Sequence, residues 1–327
     1  MDICIRADGG STIGMGHIMR TLVLGKKLKE KHKIFYACRV DNPLSDKYSL
    51  GIEKVKSEGF EVFKLNEDSF KKDILKVKAD CIITDSYDVD EDYFDIVKNA
   101  FKISGCLDDE KICNYFNVDF LINQNTYALS LDYKVNFNTE LMLGTEYVIL
   151  RDEFRNLKEK NIEKNIKKIM VTVGGSDNNN LTENIIKSLK EINDVILYIV
   201  IGPAFKYVEN LKKYEGKNLK LCFKANMSYL MQKCDLAITS CGSTLYEVCA
   251  SGIPTLGIIV AENQRLAAES MDKLGVISYS SIEDLYKNII NFSFDDRVKM
   301  NKIMTRIVDG KGIERIVDKI EKIGDKL

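Results

Sequence analysis

Along this chain short apolar runs alternate with amphipathic stretches. In the first half the runs DICIRA, KIFYACR, FEVFKL, DCIITD, KISGCLDD and DFLINQ have the length and β-branched content of strands. Between them, HIMRTLVLGKKLKE, SFKKDILKVKA and DYFDIVKNAF repeat their apolar residues three and four apart, the period of a helix with one buried face. A polar, lysine-rich stretch from about Arg151 to Lys167 interrupts the alternation. It restarts with KIMVTVGG, VILYIVIG, LKLCF, DLAITS and PTLGIIV, interleaved with LTENIIKSLKEI, MSYLMQKC, STLYEVCAS and NQRLAAESMDKLG. Strand–helix–strand repetition predicts parallel sheets covered by crossover helices. The expected architecture is therefore α/β, with two doubly wound, Rossmann-like domains at 1–150 and 168–327 and a linker at 151–167. The last helix is a candidate to pack back on the first domain. In such sheets ligands bind beyond the carboxyl ends of the strands, and a two-domain chain is expected to use the cleft there.

Length agrees with two domains, because 327 residues exceed what one hydrophobic core usually organises. The charge balance is even, Lys+Arg 48 against Asp+Glu 49, so no electrostatic footprint points to nucleic acid or an anionic membrane. No apolar run approaches the ~18 residues needed to span a bilayer. Met1-Asp2 enters a strand pattern directly, without a signal peptide. The nine cysteines form no CxxC, and two distant histidines supply no zinc-type spacing. They read as small buried hydrophobes in a reducing cytosol. The expectation is a soluble cytoplasmic monomer without metal, cofactor, nucleic-acid or membrane partner.

Four loops follow predicted strands and so fall where a site would be built. GGSTIGMGH carries Gly14 and Gly16, which allow close backbone approach, and His17 at the start of a helix. Its G-x-G-H pattern is neither a dinucleotide fingerprint nor a P-loop. Position alone leaves His17 equally consistent with a solvent-facing helix-start residue and with a neutral imidazole that takes a proton from water. VTVGGSDNNNLTENI reads as a phosphate or sugar-edge loop opening the second domain. In ITSCGSTLYEVCASGIP small hydroxyl-bearing residues open a helix whose N–H groups suit a diphosphate. Glu247 on that helix suits the two hydroxyls of a ribose, and equally the glutamate of a capping box. IIVAENQRLAAE places Asn263 and Gln264 at a strand-to-helix junction. DVDED after Tyr87 reads as a solvated helix start rather than a metal-binding DxD handle.

The segment from Ser240 through Gln264 resembles the nucleotide-binding half of GT-B glycosyltransferases, in which a small-residue helix start, a glutamate, SGIP and an NQ pair hold a UDP-sugar. RADGGSTIGMGHIMR resembles the opening of the UDP-sugar hydrolases of the pseudaminic acid pathway and their spore-coat-polysaccharide relatives. The similarity continues in order through IITDSYDVD, GCLDDE, LINQNTYA, YVILRDEF and VTVGGSDNNNLT. It implies a GT-B fold and hydrolysis of a UDP-linked 2,4-diacetamido-2,4,6-trideoxyhexose to UDP and free sugar. That reaction is metal-independent and proceeds by attack of water at C1 with inversion. By the same resemblance His17 is the base and Tyr87 a second catalytic residue, with Asp8, Gly14, Gly16, Arg20, Asp108 and Asn125 on the substrate. Gly174, Gly175, Ser176, Ser240, Cys241, Gly242, Ser243, Thr244, Glu247, Asn263 and Gln264 fall to the nucleotide. One departure is Ser86, where the family pattern often has a histidine; this bears on the sugar more than on the reaction class. The rival reading is a GT-B glycosyltransferase with a UDP-amino-sugar donor, in which His17 deprotonates an acceptor hydroxyl. A non-catalytic UDP-sugar-binding protein and a GT-B-type epimerase fit the loops less well.

Overall fold

The computed structural model describes residues 1–325, apart from the side chain of Asn263. It divides into two compact units: unit 1 takes Met1–Arg151 and the C-terminal stretch from Lys311, and unit 2 is Asp152–Gly310.

Unit 1 carries β1 (Asp2–Ala7), β2 (Lys33–Val40), β3 (Glu61–Asn66), β4 (Cys81–Asp85), β5 (Ile103–Leu107), β6 (Phe120–Asn123) and β7 (Glu140–Leu143) in the order β3-β2-β1-β4-β5-β6-β7. Every pairing is parallel. Its helices are α1 (Gly16–Leu28), α2 (Asp46–Ser57), the four-residue α3 (Phe70–Asp73) and α4 (Glu91–Ala100). Unit 2 carries β8 (Lys168–Thr172), β9 (Ile196–Ile201), β10 (Leu219–Phe223), β11 (Leu236–Ser240), β12 (Thr255–Ile258) and β13 (Ser278–Tyr279) in the order β10-β9-β8-β11-β12-β13, again parallel. Its helices are α5 (Leu181–Ser188), α6 (Val208–Lys212), α7 (Met227–Lys233), α8 (Thr244–Ser251), α9 (Arg265–Lys273), α10 (Leu285–Asn291) and α11 (Phe294–Ile307); α12 (Gly312–Gly324) returns to unit 1.

The local reasons are legible. β1 and β4 are buried on both faces, as strands of a covered parallel sheet must be. Along α1 the buried positions Ile18, Leu22, Leu24, Gly25 and Leu28 follow the helical period and face that sheet. On α12 Ile313, Ile316, Val317 and Ile320 form one face that joins the core of unit 1, while Lys31 pairs with Glu321 at its far end. Of the polar stretch expected as a linker, 151–167, all but Arg151 belongs to unit 2. Arg297 donates to the carbonyls of Glu163 and Lys164 at 2.7 Å each, and the buried Lys160 amine donates to Gln232 O. All nine cysteines are free, and all but Cys222 are buried. Among the described residues no helix is long and apolar enough to cross a membrane.

Strand order reverses between β1 and β4 in unit 1 and between β8 and β11 in unit 2. At such a reversal the connections leave in opposite directions and open a crevice at the carboxyl ends of the strands. All four loops singled out in the sequence leave from these or adjacent strand ends.

Candidate functional site

In unit 1, β1 runs into a turn over residues 8–15 that Gly14 closes. Its backbone, at φ +82, exchanges two hydrogen bonds with Gly10, a conformation that strains any residue with a Cβ. Gly16 begins α1 and faces open space. His17 therefore lies in the first turn, beside the end of β4. That strand ends in Asp85, fully buried, whose Oδ1 lies 2.6 Å from His17 Nδ1. Arg20, one turn along α1, donates from Nε to Asp85 Oδ2 and from Nη2 to Oδ1, both at 2.6 Å, and from Nη1 to Asp109 Oδ2 at 2.6 Å.

Burial alone would raise the Asp85 carboxyl, but the Arg20 guanidinium and the His17 ring hold it down at about 2. An ionised carboxylate only accepts, so the Nδ1 that touches it carries the proton. Whenever the ring is neutral in this contact, it presents the lone pair of Nε2. This is the arrangement that makes an imidazole a base at Nε2.

Tyr87, just beyond β4, sets its ring edge-on against His17 with centroids 4.5 Å apart. Its hydroxyl donates to Asp109 Oδ1 at 2.7 Å. Desolvation of that hydroxyl end and the Asp109 charge push the phenol above its ordinary range, although the ring as a whole is 40% exposed. Tyr87, expected as a second catalytic residue, thus stands against the His17 ring with its hydroxyl turned to Asp109. Three expected substrate ligands are also committed within the protein. Asp8 is buried and accepts from the backbone N–H and Nε of Arg39, with the Arg6 guanidinium at 2.8 Å. Asp108 accepts the N–H groups of Lys111 and Ile112 and the Tyr133 hydroxyl, and burial raises its carboxyl. Arg20 spends all three nitrogens on Asp85 and Asp109. Asn125 is buried, donating from Nδ2 to Asn123 Oδ1 at 2.9 Å, and lines a small pocket with Arg20, Asp109, Asn123 and Gln124.

In unit 2 the strand-end loops also converge. Gly174 has φ +104, and a Cβ there would sit 3.8 Å from the Ser240 hydroxyl. Gly175 and Ser176 are exposed. Gly202, after β9, packs so closely on this loop that a Cβ would meet the carbonyls of Gly174 and Gly175 at 2.6 and 2.4 Å. Asp177 caps α5, accepting from the N–H groups of Leu181 and Thr182. α8 opens at Thr244, with exposed Ser243 making no side-chain cap bond. Glu247 is in its first turn, one position beyond the capping-box place if Ser243 is the cap. Gln264 accepts from Val260 N–H, and its amide nitrogen would lie 3.7 Å from a Cβ on Gly242. Gly174 with Ser240, and Gly242 with Gln264, are thus brought together. The Cys241 side chain is buried, and a Cβ on Gly257 would meet its sulfur at 2.9 Å, so what it offers at this loop is its backbone. The side chain of Asn263 lies outside the described residues.

Asp85 and Asp109 were not among the expected site residues, nor was Gly202. The available signal was an acidic residue at the carboxyl end of a strand flanking the order reversal. It could be used only once β4 was known to lie beside β1.

Comparison with known proteins agrees with the two-unit α/β fold. Residues 168–293 match the glycosyltransferase family 28 C-terminal domain. An uncharacterized protein of Methanocaldococcus jannaschii is 30% identical over 283 residues, 81% of this chain, which spans only 57% of that relative's length. The spore coat polysaccharide biosynthesis protein SpsG of Bacillus subtilis is 26% identical, covering 97% of this chain and 96% of its own. A Campylobacter jejuni protein named UDP-2,4-diacetamido-2,4,6-trideoxy-beta-L-altropyranose hydrolase is 27% identical, covering 84% of this chain and 97% of its own. Among solved structures, MurG of Acinetobacter baumannii superposes with a TM-score of 0.65 at 14% identity, over 98% of this chain and 99% of that one.

Proposed function

The chain has the GT-B fold and is homologous to proteins named as UDP-sugar hydrolase and spore-coat polysaccharide enzyme, and from that premise we propose that it hydrolyses a UDP-linked 2,4-diacetamido-2,4,6-trideoxyhexose to UDP and free sugar. The observation that carries the reading is the 2.6 Å contact of His17 Nδ1 with an ionised, buried Asp85.

Nε2 of His17 takes a proton from water as its oxygen bonds to C1. The C1–O bond to the diphosphate breaks, and its electron pair leaves on UDP. Attack opposite the leaving group inverts C1. Asp85 stabilises the imidazolium that forms and holds the ring in the productive tautomer. General-base assistance of this kind typically contributes about 10²–10⁴-fold. The nucleotide is assigned to unit 2: the backbone of Gly174, Gly175, Ser176 and Gly242 and the start of α8 at Ser243 and Thr244 offer N–H groups to the diphosphate. Glu247 is assigned the ribose hydroxyls, with Asn263 and Gln264 beside it. No step calls on a metal.

The second reading, a glycosyltransferase with a UDP-amino-sugar donor, is equally compatible with the family 28 match, which covers the nucleotide side common to both chemistries. The test is UDP release from the UDP-diacetamido-trideoxy sugar without acceptor, with EDTA, in ¹⁸O-water. Label in the free sugar is expected. Label in UDP would mean attack at phosphorus, and release only on adding an acceptor would favour the transferase.

A further inference from the structure

We propose that Tyr87 is a specificity-determining residue that restricts the nucleophile at His17 to water, and that Asp109 and Arg20 are positioning residues that hold it in place. This rests on the hydrolase reading above and names what that reading leaves open: why an alcohol does not take the place of water.

The two rings form an inner and an outer layer. His17 is 6% exposed, whereas Tyr87, edge-on against it at 4.5 Å, is 40% exposed. The more exposed ring therefore covers part of the buried one and lies between it and solvent on that side. The covering ring is pinned at its far end. Tyr87 donates to Asp109 Oδ1, Asp109 Oδ2 accepts from Arg20 Nη1 at 2.6 Å, and the other Arg20 nitrogens grip the Asp85 that orients His17. The circuit is closed: histidine, aspartate, arginine, aspartate, tyrosine and back to the histidine ring. The Tyr127 hydroxyl ties the Asp109 carbonyl at 3.0 Å. Swinging Tyr87 away would break a hydrogen bond to an ionised acceptor, among the stronger kinds in proteins.

Chemistry alone does not discriminate. An alcohol can give its proton to Nε2 while its oxygen bonds to C1 and UDP departs with the electron pair, yielding an alkyl glycoside in place of free sugar. Size discriminates, and Tyr87 sets the size.

The experiment is product partition by mass spectrometry in water containing methanol, ethanol or glycerol. Wild type is expected to give free sugar alone. Tyr87→Ala should raise the alkyl glycoside share by about tenfold or more, the discrimination one small group commonly carries. Asp109→Ala should act in the same direction, whereas Asp109→Asn, which keeps an acceptor for the hydroxyl, should act less. A second readout needs no turnover. His17 and His32 are the only histidines, so peptide mapping of carbethoxylation by diethyl pyrocarbonate gives the rate at His17 against His32 as reference, and Tyr87→Ala should raise that ratio severalfold. Alkyl glycoside from wild type in proportion to the alcohol present would overturn the proposal. So would an unchanged partition and an unchanged carbethoxylation ratio in Tyr87→Ala, while wild-type hydrolysis stood. No UDP release by the wild type would instead bring down the hydrolase reading and this proposal with it.

Discussion

Replacing Asp85 by asparagine would keep the shape of the His17 contact and change its chemistry. An amide can donate as well as accept, so Nδ1 is no longer obliged to carry the proton, and the imidazolium loses its counter-charge. Asp85→Asn is expected to lower kcat by about 10²–10⁴-fold with UDP affinity nearly unchanged, as steady-state kinetics and calorimetric titration would read. Equal loss of UDP binding would mean a folding defect. The same carboxylate makes an acid-stability prediction. Its carboxyl is depressed from 3.8 to about 2 in the folded chain, so its contribution is present above about pH 4 and lost as pH falls toward 2. For this fully buried group the difference is on the order of 2 kcal/mol, and wild type and Asp85→Asn should converge in stability over that window. Glu247→Ala, in turn, is expected to weaken UDP binding about tenfold, a loss of ~1.4 kcal/mol; unchanged titration would return Glu247 to a structural role. His17 could be found in the sequence because the loop-to-helix junction is local. Its partner stands 68 residues away, and no spacing rule links them.

Elements with enough apolar positions to show a clean period were readable, and those with too few were not. α2 went unread because Gly51 sits among its buried residues, where a Cβ would strike the Gly9 carbonyl at 2.4 Å. α11 hides its period because two of its buried positions are Arg297 and Asn301, each spent on backbone carbonyls. SFKKDILKVKA, expected as one helix, breaks into 3₁₀ turns around the four-residue α3. There Asp73 accepts from Asn66 N–H and the Ser69 hydroxyl, a local alternative to continuing the helix. β7 and β13 are short strands at sheet edges, with too few residues to show alternation. Caps are testable at this scale. Asp177→Ala should cost about 1 kcal/mol through α5, read as a Tm shift of a few degrees, and Asp177→Asn should recover most of it.

At the scale of the whole molecule the chain leaves unit 1 after Arg151 and returns at Lys311. The return matters for stability, because α12 contributes Ile313, Ile316, Val317 and Ile320 to a core otherwise built from the first half of the sequence. Ile316→Ala should destabilise unit 1 by roughly 2–5 kcal/mol, as large-to-small changes at fully buried sites do. Calorimetry should show one transition moved and the other in place; a uniform shift of both would mean that the units unfold together.

The sequence by itself determined the strand–helix alternation, the parallel α/β class and the glycine-rich turns at strand ends, because each depends on residues within a few positions of one another. Its collinear motifs also pointed to the GT-B fold and to relatives that comparison then returned. Only the tertiary structure decided which strand ends are neighbours, and hence that Asp85 faces His17. It also decided that Asp8 and Asp108 hold loops, and that Arg20 joins two carboxylates. Those assignments depend on strand order, which hydrogen bonding between distant segments sets and local periodicity does not record.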